Sequence, residues 1–490
     1  MNNRIVLVLL LGLIAWFNRK APLLDSGTDE ILIVLLMAVL SLGPIILWVV
    51  RGLNGVPAFE LYCFGHFNYY VLPYIQGSPA FALYPTEVRM KAGLMVCLFL
   101  VCLQSVHFYF SRKLYRDSPV PAYFGRDISK GKGAAGVWFG LVTWTLFVVL
   151  AYFHILPNLE RYFNFVRSIF VSLGTVSLLY LMVQAGSGKI NRNQKSALWC
   201  VVAVLIFFVW AGGVLVQGAF IGLSAMAGYA IGSRKIPWIP LLLFVAAMNF
   251  LQIGKSEMRV KYWDPETGQG LKEASNPLDI FSFWLGAAYE NLFGEEQLGE
   301  EKVRTDIFQR ANLIHMVALV IDESPEKRPY LMGTTYAQIP ILFVPRFLMQ
   351  NKPRGSLPNE TLCIYYGVQT AEQTDYTAIG FGRIAEAWAN FGWLGIILLG
   401  AFYGTLLAFP TRFALNQPTN SVGFLFSALV IGLTLDHENA LGTILVYSSQ
   451  TMMFALPAFY VISGPPTPAE TSVAPDAELG GPSSAPAPAP

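Results

Sequence analysis

Apolar runs long enough to cross a bilayer recur along most of this chain, and in hydrocarbon a backbone has few ways to satisfy its polar groups. Helices do so within each segment, so the recurrence predicts an all-α polytopic membrane protein. Candidate runs lie near residues 5 to 18, 31 to 50, 56 to 75, 92 to 111, 135 to 154, 167 to 185, 197 to 213, 216 to 233, 237 to 252, 391 to 410, 421 to 436 and 441 to 462, about 12 transmembrane helices. The third, FELYCFGHFNYYVLPYI, is the least regular, carrying Glu60, His66 and Asn68 among its aromatics. Ionisable groups at that depth are costly and mark function, or else bond between helices as glue. The chain is 54% hydrophobic and 13% charged, where a soluble chain carries about twice that charged fraction.

Charge placement sets the expected topology. Arg112, Lys113, Arg116, Arg126, Lys130 and Lys132 follow the fourth run, Lys189, Arg192 and Lys195 the sixth, and Arg234 and Lys235 the eighth. Alternating spans put these on one side, which the positive-inside rule makes cytoplasmic. Four regions follow: residues 1–252 with helices 1–9, a large outward loop over 253–390 with amphipathic or re-entrant helices, residues 391–462 with helices 10–12, and a Pro/Ala-rich tail over 463–490 expected to be disordered. The start, MNNRIVLVLLLGLIAWFNRK, has the charge and apolar run of a signal peptide without a small-residue cleavage site, and is expected to remain as the first helix. Internal repeats of the kind that build transporters are not evident.

Several function classes recede. A net charge of +2 gives no reason to expect nucleic acid. The five cysteines have neither disulfide-framework nor zinc spacing. The outward loop holds no DxD for a metal nucleotide, and the chain has no GxxxxGK[ST] loop and no GxSxG elbow, so a cytoplasmic nucleotide-using enzyme is not expected.

The residues suited to chemistry concentrate in and around the outward loop. KVRTDIFQRANLIHMVALVID predicts a helix from Val303 to Asp322 with Arg310 in an apolar stripe with Ile314, Val317 and Ile321; an arginine there takes an anion or pairs with Asp306 one turn earlier. His315 lies on the same helix. In IPILFVPRFLMQNKPRG, Pro345 breaks an apolar run beside Arg346, and Lys352 and Arg354 follow. Guanidinium groups bind phosphate oxygens bidentately and a lysine adds a point charge, although Lys352 and Arg354 equally suit lipid headgroups. In FGRIAEAWANFGWLG, Arg383, Glu386 and Asn390 form a polar ridge that lines a cavity, or Arg383 and Glu386 form a local ion pair. In LTLDHENALG, Asp436, His437 and Glu438 cluster; His437 has the pKa of a general base and either acid is placed to orient it, unless this is only a polar turn.

The order FQRANLIHMVALV, then PYLMGTTYAQIPILFVPRFLMQNKP, then GFGRIAEAWANFGWLG resembles the O-antigen and oligosaccharide repeat-unit polymerases of bacterial envelopes. The resemblance covers about Arg310 to Gly395 and rests on Gly333, Pro345, Arg346, Lys352, Pro353, Glu386, Asn390 and Gly392. It implies an inner-membrane enzyme of the architecture shared by polytopic, lipid-donor glycosyltransferases. Such an enzyme transfers a glycan from undecaprenyl diphosphate, at the periplasmic face, onto a second lipid-linked repeat unit, without metal or nucleotide sugar. Donor and acceptor lipid-linked glycans would be its partners, together with the bilayer, a chain-length regulator and a flippase. On that reading Arg310, Arg346, Lys352 and Arg383 hold the diphosphate, Glu386, His437 or His315 serves as base, and Tyr336 and Asn390 support them. An O-antigen ligase, a glycosyltransferase using a polyisoprenyl-phosphate sugar with Asp25 or Asp29 as base, and a lipid-linked oligosaccharide transporter are the alternatives.

Overall fold

The computed structural model describes residues 27–52, 55–111, 120–130, 133–156, 163–263, 271, 275–293, 312–344, 348–349, 351–376, 379–414, 417–434 and 436–466. The expected first span, the tail beyond residue 466, Asp25, Asp306, Arg310, Pro345 and Arg346 lie outside them.

The chain is a multi-pass helical membrane protein. Eight of its described helices are long and apolar enough to cross a bilayer: α1 (Thr28–Val50), α3 (Thr86–Tyr109), α4 (Gly133–Tyr152), α5 (Phe163–Gly186), α6 (Arg192–Ala211), α7 (Leu215–Ser233), α16 (Arg383–Ala414) and α18 (Leu441–Ile462). A ninth arises if α8 (Trp238–Ile253) and α9 (Lys255–Tyr262), bent by 58° about Gly254, count as one span. Two of the expected spans are shorter or broken. The third is α2 (Ala58–His66), a π-helical turn over Phe67–Val71 and a last helical turn over Leu72–Ile75. The eleventh is α17 (Val422–Thr434), 13 residues long, which stops short and gives way to the polar loop around His437.

Chain connections sort to two ends of the array. At one, β1 (Arg126–Asp127) pairs antiparallel with β2 (Gly464–Pro466), the Ile128 amide donates to the Asn420 carbonyl, and Asn420 reaches the Asp127 carboxylate at 2.6 Å. The other end carries Glu30, which accepts from Arg89 and Tyr74, each at 3.0 Å. There the described helices of the 253–390 region form a cap: α10 (Pro277–Phe293) against α8 and α9, then α11 (Ile314–Glu323), α12 (Thr334–Ala337), α13 (Ile339–Phe343), α14 (Leu357–Tyr365) and α15 (Ala371–Tyr376).

Two local expectations need revision and one local rule is obeyed. The helix expected from Val303 begins at Ile314, because Asn312 and Leu313 are not helical: the Asn312 side chain accepts the His315 amide, as a capping asparagine does, and the Leu313 amide donates to Tyr69. The polar ridge of Arg383, Glu386 and Asn390 does not run straight into the tenth span. At Gly392 (φ 58°, ψ −137°) the chain doubles back, so α16 is two arms, residues 383–391 and 393–414. A Cβ on Gly395 would lie 2.2 Å from the Ala387 carbonyl oxygen, which only side-by-side arms allow. Helix α13, for its part, ends at Phe343, and Val344 is extended (φ −63°, ψ 126°), as the residue before a proline must be.

The long arm is anchored by close backbone contact. Gly400 and Gly404, one turn apart, face α3 so tightly that a Cβ would come within 2.8 Å of the Phe99 carbonyl oxygen and 2.5 Å of that of Leu103. Small residues at this spacing let helices approach in a membrane. Gly404→Leu is therefore expected to separate α3 from the arm and lower the amount of folded, monodisperse protein recovered in mild detergent, overpacking costing about 1–3 kcal/mol; the size-exclusion profile and thermal melt of the variant measure this.

Candidate functional site

The short arm of α16, about 13 Å long for nine residues at the helical rise, ends at its foot in Arg383. The side chain is 3% exposed. Its Nη1 donates to the Tyr403 hydroxyl at 3.0 Å and its Nη2 to the Asp436 carbonyl, while the guanidinium lies over the Tyr403 and Tyr62 rings at 5.1 and 5.6 Å. Tyr403 stands ten residues into the long arm, about 15 Å from the fold-back, so the cation sits midway along a spanning helix. Among the described residues no carboxylate oxygen comes within 4.0 Å of it; ion pairs elsewhere include Arg89–Glu30, Lys327–Asp322, Lys327–Glu323 and Arg328–Glu323. The local pair of Arg383 with Glu386 does not form. A guanidinium taken out of water costs several kcal/mol, and here neutral dipoles and ring faces offset it.

Glu386, one turn up the arm, is fully buried. Its Oε1 accepts from the Thr335 hydroxyl at 2.8 Å and its Oε2 from the Leu441 amide at 2.7 Å, which is the first amide of α18. The carboxylate thus caps a helix belonging to another part of the chain, where the helix dipole favours negative charge. Asn390, also buried, donates to Thr335 Oγ1 at 2.9 Å and accepts from the Gly333 amide at 3.0 Å. The polar ridge is therefore a latch between the short arm, the 331–335 loop and α18, rather than the lining of an open cavity. Tyr336 stacks on Phe391 with centroids 6.0 Å apart, and burial, with the Glu386 charge adding, pushes its phenol well above the usual value, so it remains protonated.

His437 is buried among rings: Tyr62 at 5.1 Å, Tyr69 at 5.2 Å and, edge-on, His66 at 4.7 Å. Its Nε2 lies 3.1 Å from the Tyr62 carbonyl, to which His66 Nδ1 also points at 2.9 Å. A carbonyl only accepts, so Nε2 carries the proton and Nδ1 is the basic nitrogen. Gly65 makes room, since a Cβ there would sit 2.1 Å from His437 Cε1. Asp436, one of the two acids expected to orient this histidine, bonds the Glu438 and Asn439 amides and the Asn439 side chain, closing its own loop. The π-helical turn at Phe67–Val71, a feature frequent at functional sites, begins one residue after His66.

The remaining candidates lie apart or outside. His315 Nδ1 bonds the Asn312 carbonyl at 2.7 Å; burial lowers its pKa, that carbonyl opposing, and the ring is neutral at pH 7. Lys352 donates to the Leu342 carbonyl at 2.6 Å, a cation at the C-terminal end of α13 where the helix dipole favours it. Arg354 reaches the Thr374 carbonyl at 3.2 Å. Arg310 and Arg346 fall outside the described residues. Tyr62, Tyr403 and Thr335 escaped sequence reasoning, since nothing marks a lone tyrosine or threonine in an apolar run; the aromatic density of the third span was the available signal for Tyr62. Among the described residues no group of three His, Cys, Asp or Glu side chains is placed to hold a metal ion. An apolar cavity of about 430 Å³ between α6, α8 and α10, lined by Ile206, Phe207, Trp210, Leu251, Phe281 and Leu285 among others, shares no residue with the Arg383 cluster.

No family model, curated protein or solved structure matches the chain.

Thr335 is the hinge of the latch, donating to Glu386 and accepting from Asn390. Thr335→Val, which keeps the shape and removes the hydroxyl, should leave a buried carboxylate oxygen and a buried amide short of a partner, at about 1–3 kcal/mol. The check is a lower melting temperature in detergent relative to Thr334→Val, whose parent hydroxyl, on an exposed residue, bonds only the neighbouring Leu331 carbonyl.

Proposed function

We propose that this protein polymerises lipid-linked oligosaccharide repeat units into a surface polysaccharide, as a metal-independent glycosyltransferase of a bacterial inner membrane acting at the periplasmic face. The observation that carries the reading is Arg383: a guanidinium held at mid-span without a carboxylate partner among the described residues. A buried cation of this kind is retained where an anion visits, and the N-terminus of the short arm adds the positive end of a helix dipole beside it. An undecaprenyl diphosphate leaving group matches that site in charge and brings its own hydrocarbon chain into the bilayer.

In the proposed reaction a hydroxyl of the acceptor repeat unit attacks the anomeric carbon of the donor glycan, and the bond from that carbon to the diphosphate breaks. Negative charge gathers on the diphosphate oxygen as it leaves. A preorganised guanidinium lowers that barrier, because its orientation is set before the charge appears. Tyr403 and the Asp436 carbonyl take one N–H from each terminal nitrogen of Arg383 and fix the plane of the fork. The latch of Glu386, Thr335 and Asn390 supports this by tying the short arm to α18 and the 331–335 loop. His437 and Tyr62 wall the foot of the arm, and Lys352 braces α13 in the cap.

Deletion of the gene in the source bacterium should reduce the surface glycan to single repeat units on a gel. The wild-type gene should restore a ladder. Arg383→Lys, which keeps the charge and loses the fork, should lower polymer formation by about 10²-fold while the protein still accumulates in the membrane. A normal ladder from the deletion strain would refute the reading, and transfer of one unit only to a lipid core would mark a ligase.

A further inference from the structure

Of the bases suggested by the sequence, Glu386 is held by Thr335 and the α18 amide, His437 is buried between stacked rings, and His315 sits on α11 in the cap. Glu438 differs. Among the acids and histidines around the foot of the short arm, Glu386, Asp436, His437 and Glu438, it alone has an exposed side chain. Its backbone is nonetheless pinned from both directions. The amide donates to Asp436 Oδ1 at 3.1 Å, and the carbonyl accepts at 2.8 Å from the Gly382 amide, the residue just before Arg383. Gly380 packs against it from the same strand of chain, where a Cβ would lie 2.6 Å from that of Glu438. Asp436, two residues away, gives its own carbonyl to Arg383 Nη2. One short loop therefore holds the buried guanidinium through the Asp436 carbonyl and, two residues on, carries Glu438, whose backbone is tied to the residue before Arg383.

We infer that Glu438 is the general base of the transfer, taking the proton of the acceptor hydroxyl while Arg383 receives the departing diphosphate; this rests on the polymerase reading. In the step, the acceptor oxygen forms a bond to the anomeric carbon and gives its proton to the Glu438 carboxylate. The carbon–oxygen bond to the diphosphate breaks, and its electron pair stays on the diphosphate oxygen beside Arg383. The products are the lengthened glycan on the acceptor lipid, free lipid diphosphate and a protonated Glu438, which gives up its proton before the next transfer.

The surroundings suit that task. The groups that bear on Glu438 are Asp436 on its own loop, Tyr69 from the π-helical turn, whose hydroxyl is placed to donate to the carboxylate, and Lys255 at the start of α9. Although the residue is exposed at the protein surface, the protein around it dehydrates the carboxyl and raises its pKa, the Asp436 charge adding, while Tyr69 and Lys255 oppose. A carboxylate with a raised pKa is a stronger base.

The test uses lipid extract from the deletion strain, which holds the accumulated repeat units, mixed with purified full-length protein, with ladder formation timed across pH. Wild type should lose rate as the pH falls through the Glu438 titration. Glu438→Gln should be slower by at least about 100-fold and lose that acid limb, while still retaining bound lipid diphosphate on a resin. Glu438→Gln within about threefold of wild type overturns the assignment and leaves the polymerase reading standing. Should the variant fail to reach the membrane, the wild-type profile decides: a rate that does not fall as the pH is lowered overturns it. No ladder from wild type given its own extract overturns both.

Discussion

The fold-back at Gly392 is the constraint on which the rest of the site depends. A nine-residue arm turned down beside a spanning helix puts its first residue, Arg383, at the level of Tyr403, where water is scarce and every donor needs a named acceptor. Glycine takes the required backbone (φ 58°, ψ −137°) at no steric cost, and a side chain there would also meet the Tyr330 hydroxyl at 2.7 Å. Once the arm is in place, its inner positions must satisfy each other. Glu386 caps α18, Asn390 clamps Gly333, and Trp388 donates to the carbonyls of Val320 and Ser324 in the cap.

Neighbouring residues of similar chemistry end with different work because their partners differ. Glu386 and Glu438 both lie within the reach of the α16 foot and the loop before α18. Glu386 has a hydroxyl and a helix amide on its two oxygens and is sealed from solvent, which suits a carboxylate that holds helices together. Glu438 is pinned by its backbone, and its exposed side chain has the Tyr69 hydroxyl beside it. His437, the most obvious base by residue type, is held as a packing element between Tyr62 and Tyr69.

The polar ridge at 383, 386 and 390 was legible because helical spacing alone puts those positions on one face. Its purpose was not, since the same spacing describes a cavity lining, an ion pair or a latch, and only Thr335, Leu441 and Gly333 arriving from elsewhere decide among them. The same limit applies to Lys352. Its position near a surface is visible in the sequence, but its contact with the Leu342 carbonyl, ten residues earlier, is not.

What the sequence determined by itself is the class of molecule and its local breaks. Apolar length sets helices that span, because lipid cannot satisfy a bare backbone, and a proline stops α13 at Val344 because its ring forbids helix in the residue before it. Tertiary structure alone decided which spans are whole, which helix doubles back and which acid stays open to solvent. Those outcomes depend on contacts between residues distant in the chain, such as Tyr62 with His437 or Glu386 with Leu441, and local periodicity carries no information about them.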